Sequence, residues 1–186
     1  MKRVFIAYKV STEAKTIQFI DSLKKKLWRS SIKWVNPLNY HVTLKFIGNT
    51  DFDTVKKIKN VLKSILEDEK KFDTKIQTLK FFGHIKKPTA LWMDIDDNGN
   101  SKRITENINK ALGKIGIETD QRPFKPHLTL ARIKLIYEKT EFEKLIEQNN
   151  DTLFQSNTIS KIIFFESKLT QRGPEYKVLA EYKLEK

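Results

Sequence analysis

Apolar residues recur along the chain with two periods. The runs Val4–Tyr8, Ile32–Val35, Tyr40–Ile47, Lys75–Phe82, Ala90–Asp96, His127–Ile133, Ser160–Leu169 and Glu175–Glu181 alternate, or are rich in β-branched and aromatic residues. They predict strands. Between them, apolar positions fall three and four residues apart, the spacing of a helix with one buried face. Ser11–Arg29 carries Ile17, Ile20, Leu23, Leu27 and Trp28 as one stripe, with Ser11 or Thr12 placed to cap its start. Asp51–Asp68 carries Val55, Ile58, Val61, Leu62, Ile65 and Leu66. Gly99–Ile115 carries Ile104, Ile108, Ala111 and Leu112, with Gly113 or Gly116 to end it. Thr140–Gln148 is shorter, with Phe142, Leu145 and Ile146 inward. This order mixes α and β without the regular alternation of a doubly wound parallel sheet. No Pro/Gly/Ser-rich linker divides the 186 residues, so one domain, or two small lobes sharing a core, is expected.

The two halves resemble each other in outline. A helix precedes "NYHVTLKFIG" in the first and "RPFKPHLTLARI" in the second, and another helix follows each. That weak repetition predicts two related lobes. Alternate side chains of a strand share a face. His41 and Thr43 therefore point one way, with Val42 and Leu44 the other; His127 and Thr129 oppose Leu128 and Leu130 in the same manner. Each strand offers an imidazole beside a hydroxyl, and approximate two-fold symmetry sets the pairs across a shared groove.

Such a pair suits in-line displacement at phosphorus. A neutral histidine takes a proton from the attacking water and a protonated one gives a proton to the leaving oxygen; an unperturbed pKa near 6.5 makes both forms available at neutral pH. The threonine hydroxyls can donate to non-bridging phosphate oxygens, and an arginine can neutralise the charge developing there. The bland alternative makes each histidine a strand residue satisfied by hydrogen bonds, and the matched pair weighs against it. Neither motif has the ligand spacing of a zinc site, and threonine is a poor zinc ligand, so no metal and no cofactor are expected. "DIDDNGN" lacks the length and distal glutamate of a calcium loop and reads as a turn. His84, the third histidine, falls in a loop with no chemical role.

Composition narrows the setting. Hydrophobic residues make up 39% of the chain, enough for a core, and no apolar run approaches the roughly 20 residues of a membrane helix. The basic start "MKRVFIAYKV" is interrupted by Lys9 and lacks a small-residue cleavage site; it reads as a strand, not a signal peptide. With no cysteine there is neither a disulfide framework nor a thiolate metal site, and a cytoplasmic location is expected. The net charge of +13 is either a solvated lysine-rich surface or a field that attracts polyanions such as RNA.

These motifs resemble the two-histidine phosphoesterase superfamily, specifically the RNA 2′,3′-cyclic phosphodiesterases once described as 2′–5′ RNA ligases. "RVFIAY" is similar to the family's opening strand, "NYHVTLKFIGN" to its first His-x-Thr-Leu strand, and "LKFFGHIKKPTALWMDI" to its central hairpin. "RPFKPHLTLAR" is the most specific stretch, and "FFESKLTQRGPEYKVL" resembles the closing strands. The resemblance implies an α+β fold of two pseudo-symmetric lobes, with antiparallel sheets forming a central cleft and helices outside. It implies metal-independent opening of a 2′,3′-cyclic phosphate at an RNA 3′ end to a 2′-phosphate, with 2′–5′ ligation as the weak reverse reaction. His41 would be proton donor and His127 proton acceptor, a direction that sequence symmetry does not supply. Thr43, Thr129 and Arg132 would bind phosphate. Arg132 lies three residues past Thr129, on the opposite face of a regular strand, so a bulge or twist must bring it round. Arg122, Phe124 and Tyr176 would contact substrate or serve only packing. RNA 3′ ends or nucleotide cyclic phosphates would be the partners, with no membrane, and the protein a monomer. Two readings stay open beside this one: another 2′,3′-cyclic or 2′–5′ nucleotide substrate, and a non-catalytic RNA-binding module.

Overall fold

The computed structural model describes residues 1–120, 122–171 and 173–185. Among these, nine strands and four helices follow in the order β1 (Lys2–Lys9), α1 (Ala14–Lys26), β2 (Ser31–Trp34), β3 (His41–Thr50), α2 (Phe52–Leu66), β4 (Phe72–His84), β5 (Lys87–Asp96), α3 (Asn100–Gly113), β6 (His127–Leu135), α4 (Lys139–Gln148), β7 (Leu153–Ile159), β8 (Lys161–Thr170) and β9 (Gly173–Lys183). The strands form two antiparallel sheets, ordered β3-β1-β8-β9 and β2-β6-β5-β4-β7. Each sheet holds one His-x-Thr-Leu strand, and the sheets meet along β3 and β6. Helices α2 and α3 pack together and against the first sheet, while α1 and α4 lie on the second. The α+β architecture of two lobes around a cleft is thus the one present. The chain crosses between lobes repeatedly, and one apolar cluster joins Ile6 of β1, Leu23 of α1, Leu62 of α2, Ile108 of α3, Leu130 of β6 and Phe142 of α4.

Four local expectations change. β7 is an edge strand whose sequence, LFQSNTI, has too few apolar residues to stand out. From it, the buried Gln155 reaches the start of α1: its Oε1 accepts from the Glu13 N–H at 2.9 Å and its Nε2 donates to the Ser11 carbonyl at 2.8 Å. A side chain distant in sequence therefore fixes the lead-in to the helix, and α1 starts at Ala14 with Glu13, not Ser11 or Thr12, at its N-cap and no side-chain cap hydrogen bond. Trp28 leaves the apolar stripe because the helix ends at Lys26, and it is 75% exposed. "DIDDNGN" is a turn: the Asp97 carboxylate accepts from the N–H groups of Gly99 and Ser101 at 3.0 and 2.9 Å and so opens α3. His84, expected in a loop, is instead the last residue of β4, paired with Lys87 and exposed beside the hairpin turn, because the β4–β5 ladder runs to the turn itself.

Both histidine strands carry the same irregularity. The β1–β3 register passes from Ala7↔Thr43 to Ile6↔Lys45, skipping Leu44. The β5–β6 register passes from Trp92↔Thr129 to Leu91↔Ala131, skipping Leu130. At each bulge two successive side chains turn inward, Leu44 with Lys45 and Leu130 with Ala131, and all four are buried. An extra residue shifts the alternation by one. Phe46 and Arg132 therefore return to the face that carries the histidine and threonine.

Candidate active site

The inner faces of the two sheets enclose a cavity of about 670 Å³. His41, Thr43, His127, Thr129, Arg132 and Tyr176 all line it. Arg122 and Phe124 do not: Arg122 is exposed, and Phe124 packs half-buried on the core. The approach "RPFKP" thus sets the start of β6 rather than the cavity wall.

The two imidazoles are held alike. His41 Nδ1 lies 2.6 Å from the Asn39 carbonyl, and His127 Nδ1 lies 2.7 Å from the Lys125 carbonyl. A carbonyl only accepts, so each Nδ1 bears the proton of that bond. Each Nε2 is then left for chemistry, as a lone pair on the neutral ring or an N–H on the charged one. Each carbonyl comes from the residue two before its histidine, on the short approach to the strand. The 3₁₀ turn Pro37–Asn39 precedes His41, and Pro126 precedes His127.

Each imidazole also has its own aromatic pair. His41 sits 5.2 Å from Phe5 and 5.2 Å from Tyr176, centroid to centroid. His127 sits 5.2 Å from Phe82 and 5.5 Å from Trp92, edge-on to both. Burial lowers the pKa of His41 below its ordinary value, against the pull of the Asn39 carbonyl; the positive charges of His127 and Lys9 lower it further. His41 is therefore neutral at pH 7. Burial also raises the Tyr176 phenol, with Arg132 and Arg3 working against it. Tyr176 stays a hydrogen-bond donor at neutral pH.

Arg3, Lys33 and Phe46 also line the wall, and sequence reasoning passed over all three. Phe46 stands at the same offset from His41 as Arg132 from His127, so aligning "HVTLKF" with "HLTLAR" points to it. The Arg3 guanidinium lies 5.0 Å over the Phe46 ring, which holds a cation on that side by the attraction between charge and π-face. Among the described residues, three cationic side chains, Arg3, Lys33 and Arg132, face one carboxylate, Glu175, around the cavity. Such a wall favours an anionic ligand. Among the described residues no three His, Cys, Asp or Glu side chains converge as a metal-binding group, and no helix is long and apolar enough to cross a membrane.

Lys45 links the two half-sites from behind. Turned inward by the bulge, its ammonium donates to Asn109 Oδ1 at 2.6 Å, to the Glu118 carbonyl at 2.8 Å and to Asp120 Oδ2 at 3.1 Å. The strand bearing His41 is thereby tied to α3 and to the segment leading to His127.

Several known proteins are similar to this chain. The 2′-5′ RNA ligase superfamily profile matches residues 13–163. An RNA 2′,3′-cyclic phosphodiesterase of Aquifex aeolicus is 32% identical over 155 residues, covering 82% of this chain and 81% of that protein. One from Thermotoga maritima is 29% identical over 188 residues, covering 98% and 96%. Among solved structures, TT0787 of Thermus thermophilus has a TM-score of 0.79 at 21% identity, covering 98% of this chain and 97% of that one. E. coli LigT complexed with 3′-AMP has a TM-score of 0.75 at 16% identity, covering 100% and 99%; at such identities the likeness is one of fold. With the family profile spanning most of its length, this chain belongs to the 2′-5′ RNA ligase superfamily.

Proposed function

We propose that this protein hydrolyses 2′,3′-cyclic phosphate ends of RNA to 2′-phosphomonoesters by metal-independent two-histidine catalysis. The observation that carries the reading is the matched pair of imidazoles, each fixed through Nδ1 and each opening its Nε2 onto one cationic cavity. The names of the relatives, RNA 2′,3′-cyclic phosphodiesterases, give the substrate class. In the reaction, water attacks phosphorus and a P–O bond forms as P–O3′ breaks. His127 accepts the water proton, and His41 gives its proton to O3′. Thr43 and Thr129 donate to non-bridging oxygens, and Arg132 offsets their growing charge.

Burial lowers the His41 pKa, which makes it a stronger acid once protonated. A phosphate anion wedged between the rings favours that protonation. Run backwards, with a 5′-hydroxyl in place of water, the same acid and base join RNA ends as a 2′–5′ linkage; in bulk water hydrolysis prevails.

The test is incubation of an oligoribonucleotide ending in a 2′,3′-cyclic phosphate, followed by assignment of the phosphate in the product. A 2′-phosphate formed equally fast in excess EDTA is expected. A 3′-phosphate would refute the bond assignment, and loss of turnover in EDTA would refute metal independence.

A further inference from the structure

Lys33 lines the cavity, and the reaction as derived gives it nothing to do. Strand β2 pairs with β6 so that Ile32 meets Ile133 and Lys33 meets Arg132. Both isoleucines pack on the core. Alternation therefore turns the next pair, Lys33 and Arg132, onto the cleft, and both line it. Side chains directly opposite on neighbouring antiparallel strands have Cβ atoms about 5 Å apart. A lysine and an arginine are thus set side by side with like charge. On its other flank Arg132 meets only Ala90 of β5. Among the described residues, neither cation has a carboxylate partner. Like charges directly opposed across a ladder destabilise it, so the fold gains nothing from this pair. An anion seated between the two charged ends relieves the repulsion.

The charge on the reacting phosphate changes during hydrolysis. A 2′,3′-cyclic phosphate carries one negative charge. Attack by water, with its proton passing to His127, brings that charge towards two. The 2′-phosphomonoester product keeps two at neutral pH, since the second pKa of a phosphomonoester is about 6. We propose that Lys33 is a second phosphate-binding residue of this site, acting beside Arg132 and matched to the dianionic transition state and product rather than to the substrate. The inference rests on the hydrolytic reading above. As charge grows on a non-bridging oxygen, the Lys33 ammonium donates to it; the bonds made and broken and the two proton transfers are those already given. An interaction stronger in the transition state than in the bound substrate raises kcat rather than lowering KM. The same lysine tightens the hold on the product.

Three measurements on the native protein, Lys33→Met and Lys33→Arg test this. With a 2′,3′-cyclic mononucleotide, Lys33→Met should lower kcat about tenfold, the low end for a hydrogen bond to a charged group, and leave KM nearly unchanged. Lys33→Arg should recover most of the loss. Adenosine 2′-phosphate and its methyl ester, with two charges and one at neutral pH, are then compared as competitive inhibitors. Lys33→Met should weaken the monoester about tenfold and the methyl ester far less. Finally, Lys33→Met should raise the denaturant midpoint at low salt, because the repulsion of Arg132 is gone. A lysine that only braced the edge strand would lose activity and stability together and would not tell the two inhibitors apart. Unchanged kcat and unchanged monoester inhibition in Lys33→Met overturn the inference and leave the hydrolytic reading standing. A rise in KM alone, or equal weakening of both inhibitors, also overturns it, since Lys33 then adds only general attraction for anions. A midpoint that falls, with no recovery of kcat in Lys33→Arg, overturns it too. Absence of hydrolysis in the native protein defeats the reading on which it rests.

Discussion

At the scale of single residues, the proposed division of labour between His41 and His127 makes them separable by chemistry. Removing a general acid or base costs about 10²- to 10⁴-fold, so His41→Ala and His127→Ala should each lower kcat by that order with unchanged circular dichroism. A substrate whose leaving atom is a 3′-sulfur needs no proton on departure. It should rescue His41→Ala and not His127→Ala; rescue of His127→Ala instead would reverse the assignment. The pH profile of kcat/KM should be a bell with its lower inflection below 6.5, the ordinary histidine value, because burial depresses His41. The inflections belong to the coupled pair and do not themselves say which ring is the acid. Stability carries a sign of its own. A histidine kept neutral by folding binds its proton more readily when unfolded, so stability is full above pH 6.5 and is lost as pH falls through that value towards the depressed folded one. His41→Gln should flatten that slope in denaturant titrations between pH 7 and 5. These residues were legible because the chain repeats them in matched settings. Arg3 was not, since it belongs to no repeated motif and only the fold brings β1 beside β3; Phe46 was within reach of the repeat, at the offset from His41 that Arg132 has from His127.

At the scale of elements, periodicity found all four helices and eight of the nine strands, and failed where tertiary contacts rule. β7 escaped because an edge strand needs little apolar sequence. The bulge of β6 was foreshadowed by Arg132, which needed one to share a face with Thr129; that of β3 escaped because alternation cannot register an inserted residue when the second inward side chain is lysine. That inward lysine is the most consequential element-level contact. Lys45 is buried with all three ammonium protons directed at partners on α3 and the following segment. Lys45→Met keeps the stem and removes the charge, which leaves the Glu118 carbonyl and Asn109 without their donor. A hydrogen bond made by a charged group contributes about 1.5–3 kcal/mol, while the half-buried Asn109 and exposed Glu118 can turn to water, so a loss of about 2 kcal/mol is expected in chemical unfolding. Because the lost contacts tie the His41 strand to the approach to His127, kcat should fall as well, and more than KM rises. An unchanged kcat at reduced stability would confine Lys45 to a structural role.

At the scale of the whole molecule, the charge left undecided by composition acquires a location. The net charge of +13 is spread widely, yet Arg3, Lys33 and Arg132 converge on the cavity and Lys125, Lys86 and Lys87 lie along the face beside it. Two components of binding follow, with different responses to salt. A cyclic mononucleotide brings one phosphate into a partly enclosed cavity, where screening by mobile ions is weak. A longer RNA adds backbone phosphates over the exposed lysines, and each one neutralised releases counterions; for single strands the logarithmic slope is about −0.7 per phosphate. If two or three such contacts form, kcat/KM for an oligonucleotide should fall about five- to tenfold more than that for the mononucleotide when salt rises threefold. Lys86→Gln combined with Lys87→Gln should make the oligonucleotide slope shallower and leave mononucleotide turnover nearly unchanged. Equal slopes for both substrates would mean that the surface charge is solvated and plays no part in holding RNA. Unequal slopes that survive the double substitution would move the RNA path to another face of the molecule.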